Sequence, residues 1–224
     1  MRIEPFLEKD VVHITKRGAR GMNIFVDDAD RWRFLNSLYI LNDEYKSHNW
    51  VKETRKLPLF ARPDHWPERK PITRVLAWTL MPNHIHLILQ ETRKGGVSKF
   101  MQRVGGSMTL RFNTKHKNQG SLFQSAYKAR RVCDDDYLKY LMFYVLAKNV
   151  LEIYPGGLKA AVSEFDNAWN WALSYPFSSL RFGLSSVESP VIDDPENIVK
   201  GAIGNNLSPL EVLEMIKEFH RKNH

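Results

Sequence analysis

The order of elements along this chain of 224 residues predicts an α+β fold, an antiparallel sheet with helices packed on its faces. Three observations carry that expectation. Val11 to Lys16 (VVHITK) alternates in polarity and is rich in β-branched residues, as a half-buried strand is. Ile72 to Leu80 and His84 to Gln90 read as two extended stretches broken at Pro82-Asn83. Helical periodicity between and after these stretches gives the order β-α-β-β-α-β-α.

After the first strand, Gly18 and Gly21 mark a loop, and Asp27, Asp28 or Asp30 can cap a helix running to about Lys46. Trp32, Leu35, Leu38, Tyr39 and Asn42 recur there at helical spacing. Residues 48–71 are basic and broken by Pro58, Pro63, Pro67 and Pro71, which predicts an inserted loop and not a domain. Gly95-Gly96 precedes a helix from about Ser98 to His116, weakened at Gly105-Gly106, where DNA backbone or another helix can approach closely. Asn118-Gln119-Gly120 is a turn, and Ser125 to Val132 a fourth strand. Asp134-Asp135-Asp136 opens a helix at its favourable positive end, and the helix continues to about Glu152 before Pro155-Gly156-Gly157. Leu158 to Ala172 reads as one further helix. Ser208-Pro209 starts a last one, ending near Arg221, with an apolar stripe of Leu210, Val212, Leu213, Ile216 and Phe219 that fits the palm or a partner subunit. This divides the chain into a main domain at 1–182, a linker at 183–206 and a C-terminal helix at 207–224.

Composition narrows the function. Hydrophobic content of 43% suits one good core. No apolar run reaches the roughly 20 residues of a membrane span, and MRIEPFLEKD lacks the apolar centre of a signal peptide. The single cysteine, Cys133, excludes an internal disulfide and a cysteine zinc cage, and reads as inert packing in a reducing, cytoplasmic setting. The net charge of +8 favours a polyanionic partner, usually nucleic acid. Basic residues gather at Lys16-Arg17 and Arg20, at 52–70, at 111–117 and at 128–131. Trp50, Phe60, Trp66, Phe112, Phe123 and Tyr127 lie among them, so that cations can hold phosphates while rings stack on unpaired bases. The plainer alternative is a set of solvated basic faces over core aromatics. Arg17, Arg20, Lys128, Arg130 and Arg131 are the best candidates for DNA contact, with Tyr127 for stacking.

Two patterns point to chemistry. In a strand, alternate side chains share a face, so His84 and His86 of the run MPNHIHLILQ point one way, while Ile85, Leu87 and Leu89 point into a core. Two neutral imidazoles on a rigid strand form half of a metal site; alternatively, one is a satisfied core histidine and the other a surface one. In the helix from Asp134, Tyr137, Leu141, Tyr144 and Lys148 form one stripe, with Tyr140 nearby. Such stripes are commonly core or interface. Paired with the histidines, however, a tyrosinate can attack a phosphorus polarised by a metal, provided that a metal, Lys or Arg helps the phenol ionise. Lys148, one turn past Tyr144, can do so. His13 lies near phosphate or is a structural strand histidine, the more ordinary outcome.

Five segments together resemble the single-tyrosine HUH transposases of insertion sequences, above all the REP-associated tyrosine transposases. They are HITKRGARGMNIFVDD, AWTLMPNHIHLIL, GSLFQSAYKARRV with its following DDDYLKYL, FYVLAKN, and SYPFSSLRFG, which is similar to the family's Trp-Ser-Ser element. The resemblance spans roughly Val11 to Phe182. It implies a ferredoxin-like, RRM-type palm with the His-Ile-His strand central, and magnesium or manganese held by His84 and His86. It further implies cleavage and rejoining of single-stranded DNA near a hairpin through a 5′-phosphotyrosine on Tyr144, with Tyr140 and Tyr137 as runners-up, by a monomer or a homodimer that can exchange the tyrosine helix. Two positions depart from the family. Its third metal ligand, Asn or Gln four residues after the nucleophile, is Lys148 here, and a protonated lysine cannot ligate a metal. Asn149 follows, and it can serve only if the helix is rotated or loosened there. A common Arg before the family's Tyr-Lys pair is Ala126. These departures leave open a domesticated protein that binds a DNA or RNA hairpin, or nicks DNA, without moving an element. Other His-x-His enzymes fit poorly. Leu87 to Leu89 follow His86 where a metallo-β-lactamase needs further acid and histidine, an amidohydrolase barrel needs more chain, and a 2H phosphodiesterase needs a second copy of His13-Ile14-Thr15.

Overall fold

A computed structural model describes residues 5–203 and 208–223. Its sheet has four strands: β1 (Val11–Arg17), β2 (Thr73–Leu80), β3 (His84–Glu91) and β4 (Lys128–Arg131). They are arranged β2-β3-β1-β4 and every pairing is antiparallel. With α1 (Asp28–Ile40) after β1 and α3 (Gly96–His116) after β3, the order is the βαββαβ of a ferredoxin-like palm. The α+β expectation therefore holds, with β3 and β1 central.

Alternation distributes the sheet between two cores. Val12, Ile14, Ile85, Leu87 and Leu89 pack with Phe34, Leu35, Leu38, Phe100 and Val104 of α1 and α3. On the opposite face, Leu76, Ala77 and Ile88 pack with Leu141, Val145, Leu146 and Val150. A bulge between Val75 and Ala77 turns Leu76 and Ala77 to that second face together. The second layer comprises α4 (Asp135–Met142), a π-helical turn (Phe143–Lys148), α5 (Asn149–Glu152), α6 (Gly157–Ser163), α7 (Phe165–Ser174), α8 (Leu180–Leu184), α9 (Ile198–Ile203) and α10 (Pro209–Asn223).

Several boundaries differ from expectation. The first helix ends at Ile40 and not near Lys46, because Asn42 is drawn into the sheet edge. Its side chain donates to the Thr73 carbonyl and accepts from the Ile72 and Thr73 amides. The insertion contains a short helix, α2 (Trp50–Thr54), closes on itself through Trp66 Nε1 donating to Glu53, and ties itself to the palm through Arg62 paired with Asp43. The helix expected at Leu158 to Ala172 breaks at Glu164, giving α6 and α7. Within the expected linker, Val199, Ala202 and Ile203 of α9 are buried in the second core, so apolar burial organises part of that stretch. The last helix packs on the same core through Val212 and Ile216, whereas Leu210 is exposed and the Phe219 side chain lies outside the described residues. Cys133 is exposed, which corrects its reading as packing. Among the described residues no helix is long and apolar enough to cross a membrane.

Candidate active site

The two histidines reach the site because β3 begins directly after the Pro82-Asn83 turn, closed by Met81 N–H donating to the His84 carbonyl (2.9 Å). Gly18 makes that turn's docking possible: its amide donates to the Asn83 carbonyl, and a Cβ there would stand 2.3 Å from the Met22 carbonyl oxygen. The His84 and His86 rings lie 4.8 Å apart, nearly perpendicular. His84 Nδ1 pairs with Asn83 Oδ1 at 2.6 Å. His86 is buried at 3% exposure, its Nδ1 is 2.8 Å from His13 Nε2, and its Nε2 is buried with no partner among the described residues. Burial drives His86 far below the usual histidine range, helped by His13, His84 and Lys148. Burial first and Arg130 second push His13 down to about 4; burial and then Arg17 lower His84. All three rings are therefore neutral near pH 7, the form that donates a lone pair.

The tyrosine helix approaches from the second layer. Asp134 caps it, accepting from the Tyr137 amide at 2.7 Å. At Phe143–Lys148 the ladder lengthens to i→i+5, and the Asn149 amide donates to the Tyr144 carbonyl. Thr79 of β2, directly across from His86, donates through its hydroxyl to the Val145 carbonyl and pins this turn to the sheet. The Tyr144 ring sits 5.6 Å from His86 and 6.4 Å from His13, centroid to centroid. Tyr140 stacks on Tyr144 at 6.2 Å and Tyr137 on Tyr140 at 6.5 Å, so both stand farther along the stripe. Burial, and then Glu152, raise the Tyr144 phenol above its ordinary value. Lys148 lies 5.2 Å over the Tyr144 ring and donates to Glu152 at 2.6 Å. Asn149 is buried at 1% exposure, and its amide nitrogen has no partner among the described residues.

His13, Thr15, Arg17, His84, His86, Lys128 and Tyr144 line one open cavity of about 380 Å³, together with Gln124 and Ser125. The registers Thr15↔Lys128 and His13↔Arg130 put Lys128 and Arg130 on the histidine face of the sheet. Arg130 covers the Tyr137 ring at 4.4 Å. Arg131 pairs with Val12, faces the α1–α3 side and reaches Asp10 at 3.7 Å. Arg20 is exposed in the turn after β1. Tyr127 packs on the α1–α3 core with its hydroxyl 3.0 Å from Ser98. Lys16 also belongs to that side: it is buried, donates to the Ser125 carbonyl at 3.2 Å and sits 4.1 Å over Phe123. Its Cε would stand 2.9 Å from a Cβ at Gly105, so at that glycine the close neighbour is Lys16. Trp50, Trp66, Phe112 and Phe123 are core residues, which removes them from the stacking set.

Sequence reasoning undervalued His13 and passed over Asn83, Thr15 and Thr79. The alternation His13-Ile14-Thr15 was the available signal, since it puts both polar groups on one strand face. Among the described residues, no three His, Cys, Asp or Glu side chains converge as a ready metal cage.

Residues 68–148, which carry both histidines and the tyrosine, match the family described as transposase IS200 like. The REP-associated tyrosine transposase bound to a REP hairpin is similar over 86% of this chain and 90% of its own, at 11% identity and a TM-score of 0.46. A protein of Deinococcus radiodurans R1 assigned as a transposase is similar over 64% and 95%, at 14% identity and a TM-score of 0.35. No curated protein matches the chain. The family match bears out the resemblance read from the motifs and supports a transposase-like, DNA-processing role.

Proposed function

We propose that this protein is a metal-dependent endonuclease and strand transferase for single-stranded DNA beside hairpins, with Tyr144 as nucleophile. The observation that carries this reading is the approach of Tyr144 to within 5.6 Å of His86 in an open cavity, on a face that also presents Lys128 and Arg130. Attack by the Tyr144 oxygen forms a tyrosine–phosphorus bond and breaks the bond to the 3′-oxygen. One fragment is left with a 3′-hydroxyl, which takes up a proton as the phenol loses one, and the other is a 5′-phosphotyrosine. Rejoining reverses these steps.

The residues present fit a divalent cation. Burial lowers both histidines toward the neutral form, and His86 Nε2 is a buried nitrogen without a partner among the described residues. The π turn loosens the helix between Tyr144 and Asn149, the condition under which the residue five after the nucleophile can serve as a ligand, while Lys148 remains over the Tyr144 ring and near both histidines. His84, His86 and Asn149 would hold magnesium or manganese, which polarises a phosphoryl oxygen and offsets the charge that develops there. Lys148 stays with Glu152 and the Tyr144 ring, where its positive charge favours the tyrosinate. Arg17, Lys128 and Arg130 hold the strand's phosphates.

The test is a covalent-adduct assay with labelled single-stranded hairpin DNA from the flanks of the gene, with manganese or magnesium, resolved on a denaturing gel. A shifted band that requires metal, Tyr144 and His86 is the expected result, with Tyr144→Phe and His86→Ala both lacking it. Metal-dependent cleavage that survives Tyr144→Phe moves the nucleophile to Tyr140, Tyr137 or water. The ion pair Lys148–Glu152 beside the nucleophile favours a second reading, a hairpin-binding protein of weak activity. Tight, salt-sensitive hairpin binding without any adduct would select it.

A further inference from the structure

His86 Nδ1 and His13 Nε2 are 2.8 Å apart, so one of the two nitrogens donates and the other accepts. Two proton placements satisfy that contact. In one, His13 Nε2–H donates to His86 Nδ1, and His86 must carry its own proton on Nε2. That nitrogen is buried and meets no acceptor among the described residues. A buried N–H without an acceptor is the rarer and costlier outcome. In the other, His86 Nδ1–H donates to His13 Nε2, and Nε2 of His86 keeps a lone pair. His13 lines the open cavity, where water can serve its remaining ring nitrogen. The Thr15 hydroxyl, 3.5 Å from the same Nδ1, is at the limit of a hydrogen bond and cannot replace His13. The two rings lie within 15° of parallel with centroids 5.1 Å apart, an alignment that suits this nitrogen-to-nitrogen contact and restrains the His86 plane.

We propose that His13 is a positioning residue: by accepting from His86 Nδ1 it fixes the His86 tautomer and ring plane, leaving Nε2 as the atom that can ligate a divalent cation. This inference rests on the metal-dependent reading above for its purpose, but not for its test. A hydrogen bond from the far nitrogen of a ligating histidine raises its basicity and sets its aim, and removing such a partner typically weakens metal affinity by about 10- to 100-fold.

The deciding measurement is long-range ¹H–¹⁵N correlation on metal-free, histidine-labelled protein, which reads the tautomer of His86 directly. The expected spectrum has a protonated Nδ1 and an unprotonated Nε2. The reverse assignment in the wild type overturns the proposal without any variant. His13→Gln places an amide oxygen as acceptor near the position of Nε2 and is expected to keep both the tautomer and manganese affinity by calorimetry. His13→Phe keeps the ring's bulk without the acceptor and is expected to release the tautomer and weaken manganese binding by about 10- to 100-fold. Unchanged tautomer and affinity in a folded His13→Phe variant would sink the idea. Should His13→Phe not fold, the wild-type spectrum and His13→Gln still decide. A wild type that binds no manganese defeats the metal reading, while the spectrum continues to judge His13.

Discussion

His13 and His86 show how burial sets the working state of single residues. Each is held neutral in the fold, His13 at about 4 against 6.5 in the unfolded chain. The unfolded protein therefore binds more protons between those values, and stability falls as pH drops from about 6.5 toward 4. The slope is about 1.4 kcal/mol per pH unit for each such histidine. Urea unfolding of wild type and His13→Gln at pH 7.5, 6 and 5 measures this. The variant is expected to lose one histidine's share of the slope, and identical slopes would show that His13 is not buried neutral. Tyr144 presents the opposite problem, because burial and Glu152 raise its phenol. Adduct formation is accordingly expected to rise with pH above neutrality, and to do so most steeply where metal is limiting.

The π turn at Phe143–Lys148 is the element on which the reading of the site depends. From spacing alone Lys148 stands at the ligand position; the i→i+5 bond from Asn149 to Tyr144 loosens the helix there, which the proposed ligand role of Asn149 requires. Asn149→Ala is expected to weaken manganese binding by about tenfold or more, and Lys148→Ala to leave it within about threefold, both read by calorimetry. The reverse order would return the ligand role to position 148 and leave the turn without this function. Thr79 holds the turn in register, donating to the Val145 carbonyl from a fully buried position. Thr79→Val leaves that carbonyl without its hydroxyl donor, at a cost of about 1–3 kcal/mol by thermal or denaturant unfolding. Cleavage should fall more than stability alone explains, since the same bond fixes Tyr144 over His86.

At the scale of the molecule, charge is sorted by sheet face. Arg17, Lys128 and Arg130 accompany the histidines, whereas Arg131 and Lys16 are committed to Asp10 and to the loop carbonyls on the other side. Counter-ion release makes single-strand binding fall with salt, with a slope of about 0.7 per phosphate neutralised. Lys128→Ala and Arg130→Ala are each expected to reduce the slope by about that amount, and Arg131→Ala by much less, measured by fluorescence anisotropy across a salt series. Equal losses at all three positions would mean that DNA wraps both faces of the strand edge. A net charge of +8 guides encounter with any polyanion; selectivity has to come from this one-sided arrangement.

The order β-α-β-β-α-β-α, the shared face of His84 and His86 and the acidic start of the tyrosine helix were legible in the sequence, because alternation, helical period and end-capping are local rules. So was the transposase resemblance, which the family match over 68–148 bears out. Four features were decided only by the tertiary structure. His13 and His86 are 73 residues apart and meet through the β1–β3 register. Tyr144 comes over His86 because Leu141, Val145 and Leu146 bury against Leu76, Ala77 and Ile88. The π turn departs from the α-helical period that local spacing assumes. Trp50, Trp66, Phe112 and Phe123, the aromatics set among the basic residues, proved to be core, since an indole or phenyl ring reads alike in sequence whether it packs inward or waits for a base. In each case the deciding energy lies in contacts between segments distant along the chain, which no local pattern encodes.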